Sequence, residues 1–230
     1  SKKTKKVIRK IPPKPKNYDK LIWLTGHCLS LSFGLIYFLS RLSNIILRTK
    51  FYYLVRFSYR LSIFGSLLAL SLTVSRKFGR KLPTNFALLS TENFQYLLLA
   101  LIWFLSRSSI FKIFPYLIIS FLQLTREFNY LEKIPQNYLL NLTLAISYNE
   151  LLLIFVLFID TLLMRGVSGF AFVAFITFYW LRILFSNETK SFVLNFFQVV
   201  EKNVVVKLPK QYQGYFYEFL ELVKKREVRD

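Results

Sequence analysis

Histidine and cysteine each occur once in 230 residues, side by side at His27 and Cys28. A single cysteine excludes an intramolecular disulfide and a cysteine-based metal cluster. A single histidine leaves almost no material for a metal centre or a nucleophile–histidine dyad. The chain also has no GxGxxG, P-loop, HExxH or GxSxG segment, so no cofactor and no enzymatic activity are expected. Acidic residues are scarce: 12 Asp and Glu stand against 32 Lys and Arg, a formal charge of +20. In a soluble protein that balance would point to nucleic acid. Here repeated uncharged runs favour another account, in which basic residues flank membrane spans and set their orientation, and nucleic-acid binding is not expected.

What the chain has in abundance is apolar and aromatic residues, with 25 Phe and 14 Tyr. Phe94–Leu124 is the most telling stretch. As one helix it would be roughly 46 Å long, against a hydrocarbon core of about 30 Å. It breaks at Ser106-Arg107-Ser108-Ser109, and Pro115 follows. Arg107 in the middle of a lipid-facing helix costs several kcal/mol (roughly), but little at a turn among headgroups. The stretch therefore reads as a hairpin of two membrane legs, Phe86–Leu105 and Ile110–Thr125, the first borrowing Phe86–Leu89 for length.

Four other runs read as spans: Leu21–Leu39, Phe51–Val74, Leu144–Met164 and Ser168–Phe185. The fold class is thus all-α: a polytopic membrane protein with about six membrane-embedded helical legs, one pair a short hairpin. Trp23 and Tyr37 sit near the ends of the first span, as interface aromatics do. His27 is expected to hydrogen-bond within the bundle, and Cys28 to be a small packing residue. Gly65-x-x-x-Ala69 is a spacing that lets a second helix approach closely. Arg56 and Arg60 share a helix face. Either they reach the headgroups, or they pair with Glu92, Glu150 or Asp160. Glu150, within the first turns of its run, calls for a basic or hydrogen-bonding partner, with Arg60 and Arg182 the candidates; Arg60, Glu92, Glu150 and Arg182 form the expected polar network. Glu150 and Asp160 point roughly 80° apart and lie about 15 Å apart along one helix, so they cannot act on one atom from there.

Residues 1–20 hold nine Lys and Arg and three prolines. They read as a basic cytosolic tail without the apolar core of a signal peptide, and polybasic attraction to anionic lipid is compatible with that. Residues 21–185 form the helical membrane domain. Residues 186–230 change period: Phe192, Phe196, Phe197 and Val200 share one face, and after Pro209 a second amphipathic segment follows. This region lies in the membrane interface or packs on the membrane domain or a partner. Six legs put both termini on one side, together with most loop Lys and Arg, while Arg41, Arg48, Lys50, Arg107, Lys112 and Arg165 fall on the other; this asymmetry makes the first side cytosolic. The triplets at Asn141 and Asn187 then face the cytosol and stay unglycosylated.

Several stretches, in order, carry a family resemblance: Tyr59-Arg60-Leu61, Glu92-Asn93-Phe94-Gln95-Tyr96-Leu97-Leu98, Phe114-Pro115-Tyr116-Leu117-Ile118-Ile119-Ser120, Asn149-Glu150 and Trp180-Leu181-Arg182. Over residues 21–206 the chain resembles the transmembrane protein 33 family, which includes fungal pore-membrane and endoplasmic-reticulum proteins. The resemblance implies residence in the endoplasmic reticulum and nuclear envelope. It also implies work on curved membrane and on nuclear pore complexes alongside the lipid bilayer, reticulon-type proteins, nucleoporins or an importin. Two rivals remain: a transporter or channel subunit using Glu150, Asp160 and Arg60, and a lipid-modifying enzyme or accessory subunit of a membrane complex. A water-filled polar cavity at mid-membrane depth would favour the rivals.

Overall fold

In the computed structural model, residues 18–48, 50–79, 87–165 and 168–225 are described, and among them every regular element is helical. The helices are α1 (Tyr18–Ile46), α2 (Tyr52–Phe78), α3 (Glu92–Leu105), α4 (Ile110–Glu127), α5 (Gln136–Leu162), α6 (Ser168–Phe185), α7 (Asn187–Asn203) and α8 (Lys210–Lys225). Short 3-10 turns, Leu131–Lys133 and Val205–Lys207, precede α5 and α8.

The first six helices run alternately up and down. Trp23, near the start of α1, donates to Thr73 near the end of α2 (3.1 Å). Tyr59, in α2's first turns, donates to the carbonyl of Trp103 near the end of α3 (3.2 Å). Lys20 pairs with Glu127 at the end of α4, and Arg182 near the end of α6 pairs with Glu92 at the start of α3.

The core joins large side chains such as Tyr59, Trp103, Ile113, Leu153 and Phe175, whereas α1 packs with its small and polar residues inside. In α1 the buried residues include Gly26, His27, Ser30, Gly34, Tyr37 and Ser40, while Leu21, Leu35, Leu39, Ile45 and Ile46 are exposed. Packing of this kind suits a lipid surround, where exposed Leu and Ile cost nothing and close backbone approach holds helices together. At the crossing of α1 and α2, a β-carbon on Gly65 would lie 2.6 Å from the Gly26 carbonyl oxygen, so the two backbones touch. Ser30 and Ser66 share a hydrogen bond of 2.7 Å, and Ser62 donates to the Ser30 carbonyl at 2.6 Å. His27 Nδ1 lies 3.1 Å from Ser120 Oγ. Cys28, expected to pack inside, is exposed instead: it is next to the buried His27, on the outward face of α1.

Three helices, α1, α2 and α5, are long and apolar enough to cross a membrane, and a fourth span results if α6 and α7, bent by 105°, count as one. Six full crossings are thus more than length and composition support. The hairpin turn falls where expected, between α3 and α4. However, α3 does not gain the length expected from Phe86–Leu89. Phe86 lies outside the described residues, and 87–90 form a turn. The Ser90 and Thr91 hydroxyls donate to the carbonyls of Ala87 and Leu88, and the Gln95 side-chain amide donates to that of Leu89. Short polar side chains hold this turn against helix formation. The 14 residues of α3 span roughly 21 Å. Conversely, α5 starts at Gln136 rather than Leu144, directly after Pro135, because proline is tolerated at a helix start and nothing from Gln136 to Thr143 breaks a helix.

Candidate functional site

The end of the bundle that contains the starts of α3 and α5 and the exit of α6 carries a polar network. Glu92 and Tyr96 are one turn apart on α3, and both meet Arg182. The guanidinium of Arg182 pairs with Glu92 and stands over the Tyr96 ring, 5.3 Å from its centroid. On its other side Arg182 Nε lies 3.8 Å from Glu150 Oε2, an ion pair without a hydrogen bond. Tyr96 donates to Glu150 Oε1 at 2.5 Å, and Tyr116 donates to the Tyr96 carbonyl at 2.9 Å. Glu150 is 1% exposed, whereas the Glu92 side chain is 61% exposed. Arg182 thus joins a buried carboxylate on α5 to a wet one on α3, next to a small polar cavity of about 270 Å³ that also contains Ser90, Asn187 and Glu188. A charge this deep is tolerable only with such partners.

Of the four residues expected to form a network, Glu92, Glu150 and Arg182 come together and Arg60 does not. α2 and α3 run antiparallel, so Arg60 meets the far end of α3, where it stands 5.3 Å from the Phe104 ring centroid. Asp160 pairs with Arg165 (3.4 Å), in the turn after α5, and takes no part. Sequence reading missed Tyr96 and Lys112. Lys112 is 4% exposed and donates to Ser106 Oγ (3.1 Å) and the Arg107 carbonyl (2.9 Å), closing the C-terminal end of α3. A lysine six residues after a helix-ending serine was the available signal.

The C-terminal helices form the second feature. Ser186 is extended and caps α7, accepting from the Thr189 amide at 3.3 Å, and this ends α6 and turns the chain. Phe192, Phe196, Phe197 and Val200 are half-buried. Phe192 meets Tyr148 of α5 edge-on at 4.9 Å, and Phe197 meets Phe216 and Phe219 of α8 at 5.8 and 5.5 Å. The three phenylalanines line an apolar cavity of about 440 Å³ against α5 and α6. Of the two alternatives, their contacts are those of packing on the bundle. The bare apolar surface lies elsewhere, on α8. Tyr212, Tyr215 and Leu222 are 57%, 65% and 56% exposed, at i, i+3 and i+10 on one face, with Phe219, whose ring meets Phe197, at the edge of that face. The adjoining face, with Leu220 and Val223, is buried.

Alternating helices, close serine and glycine contacts between α1 and α2, and long apolar helices with many exposed leucines and isoleucines define a polytopic helical membrane protein. A membrane protein of Saccharomyces cerevisiae, named as the uncharacterized membrane protein YGR026W, is 35% identical to this chain, covering 92% of the chain and 89% of its own length. The chain belongs to the family of that membrane protein. No protein-family model and no solved structure matches it.

Proposed function

We propose that this protein is a non-enzymatic membrane protein that shapes or senses curved membrane through its C-terminal helices. We place it in the endoplasmic reticulum and nuclear envelope, with both termini cytosolic. The observation that carries this reading is the bare stripe Tyr212–Tyr215–Leu222 on a helix whose other apolar face is already docked. The apolar arc of α8 is about 160° wide at 3.6 residues per turn, and only half of it is covered by protein. Lys224 and Lys225 follow at its end, where they suit anionic headgroups. The chain turns by 105° after α6, which lays α7 across the direction of the preceding helix. Full burial of a large apolar side chain contributes about 1.5–3 kcal/mol, and interfacial insertion contributes less. Three such side chains on a tethered helix suffice, because tethering removes most of the association cost. Area inserted into one leaflet favours curvature, and so does a short leg such as α3.

The resemblance to the transmembrane protein 33 family supports the same reading. It adds nuclear pore complex assembly or distribution and tubule organisation as the processes served, and reticulon-type proteins, nucleoporins or an importin as partners. The test uses the full-length protein, fluorescently tagged and reconstituted into vesicles of graded diameter. Protein density per membrane area is expected to rise as diameter falls, and to become flat in a Tyr215→Asp/Leu222→Asp variant. A flat profile for the unaltered protein would overturn the proposal.

A further inference from the structure

The opposite end of the bundle holds a second polar cavity, of about 380 Å³. Arg41 of α1, Arg56 and Arg60 of α2, and Arg107 of the α3–α4 turn line it, together with Tyr52 and Ser108. No carboxylate is among its lining residues, and none of the four arginines makes an ion pair among the described residues. Asp160, at the same end, is engaged by Arg165. Arg60 is held over Phe104 and is half-buried, so at least one guanidinium is fixed in place. Tyr37, one turn before Arg41, is fully buried beside Arg41 and Ser108. Three elements far apart in sequence thus converge four cations on one cavity without a counter-charge.

We propose that this cavity binds the phosphate of an anionic phospholipid headgroup. Like charges gathered around one cavity repel each other unless an anion sits among them. Guanidinium groups present planar pairs of donors that match phosphate oxygens two at a time, and they stay charged throughout the physiological range. A phosphomonoester supplies up to two charges and three acceptor oxygens, which fits four arginines better than a single carboxylate would. The depth points to a lipid rather than a soluble source. The cavity lies where α1 and α3 end and α2 begins, the level at which helices of a membrane protein meet headgroups. Phe57 and Leu105, 61% and 75% exposed, stand at the same level and offer surface for acyl chains. The ordinary behaviour of arginines near helix ends is diffuse contact with any headgroup. A built pocket differs by being saturable and selective.

The test is native mass spectrometry of the full-length protein in detergent, titrated with dioleoyl phosphatidic acid, dioleoyl phosphatidylcholine or inorganic phosphate. Binding of one phosphatidic acid is expected to saturate at least tenfold below the concentration needed for phosphatidylcholine. Arg56→Gln/Arg107→Gln removes two exposed side chains and leaves the packing intact; it is expected to weaken phosphatidic acid binding at least tenfold. Arg76→Gln/Lys77→Gln, which removes the same charge at the other end of α2, is expected to leave it unchanged. Equal binding of the two lipids, or equal loss in the two variants, overturns the pocket. Displacement of phosphatidic acid by inorganic phosphate at matching concentration overturns the lipid source. The pocket is at the far end from α8, so its failure and that of the curvature reading are separable.

Discussion

Asn149 on α5 donates its side-chain amide to the carbonyl of Phe111 on α4, at 2.8 Å. Phe111 is the residue four before Pro115, which lies inside α4. A proline has no amide hydrogen, so it leaves that carbonyl without its helical partner. Asn149 supplies the missing donor from a neighbouring helix, and this is how α4 continues through a proline in its second turn. Asn149 directly precedes Glu150, so one turn of α5 repairs α4 and also anchors the Arg182 network.

The repair predicts a coupling. Asn149→Leu leaves a half-buried carbonyl without its donor and is expected to cost about 1 kcal/mol. With Pro115→Ala in place, the new amide hydrogen reaches the Phe111 carbonyl, and Asn149→Leu is then expected to cost much less. Thermal unfolding of the four proteins of the cycle in one detergent measures this. Additive effects would show that Asn149 does not stand in for the missing amide.

A second prediction concerns Arg182. Removing one partner of a buried pair typically costs about 3–5 kcal/mol, because the other charge stays buried. Arg182→Leu is therefore expected to lower melting temperature sharply. Glu92→Gln is expected to do far less, since the Glu92 side chain is 61% exposed and water takes over its role. Tyr96→Phe deletes the hydroxyl that donates to Glu150 and is expected to fall between the two. Equal shifts for Arg182→Leu and Glu92→Gln would mean that the pair is not buried in the intact protein.

The membrane class was legible because lipid leaves a coarse mark on sequence: long uncharged runs, and basic residues between them. Helix ends were less legible. Gln136–Thr143 is too polar to look like a span, yet nothing in it stops a helix, so α5 extends further back than its apolar run. Ala87–Ser90, apolar by composition, instead forms a turn held by the Ser90 and Thr91 hydroxyls. The demand of Glu150 for a partner could be read from burial cost alone. Which arginine meets it could not, because Arg60 and Arg182 differ only in the end of the bundle they occupy. For α7 the periodicity marks an apolar face without saying whether protein or lipid covers it.

Orientation gives a third prediction. Nine Lys and Arg precede residue 21 and eight follow residue 186, and with alternating legs these segments share a side. A C-terminal tag is expected to be digested by protease added to sealed microsomes, and Asn141 and Asn187 are expected to carry no glycan. A protected tag, or a mass shift removed by a glycosidase, would invert the topology.

The last prediction concerns the contact of α1 with α2. A β-carbon on Gly26 would lie 2.8 Å from the Gly65 carbonyl oxygen, and one on Gly65 would lie 2.6 Å from the Gly26 carbonyl oxygen and from the Ser30 amide. These obstacles are backbone atoms, which cannot rotate away as a side chain does. Either substitution must therefore push the helices apart, and separation strains the Ser30–Ser66 and Ser62–Ser30 hydrogen bonds together. Gly65→Val is expected to cost at least the 1–3 kcal/mol (roughly) of an overpacked core, with further loss from the hydrogen bonds. Gly214 in α8 is the internal control. Nothing stands within 4 Å of a β-carbon there, and alanine in a helix interior is favoured over glycine by about 1 kcal/mol. Gly214→Ala is thus expected to be neutral or stabilising. Monodispersity on size exclusion and the melting temperature in detergent read both variants. A well-behaved Gly65→Val protein, with a melting temperature matching the unaltered chain, would show that α1 and α2 do not meet at Gly26 and Gly65.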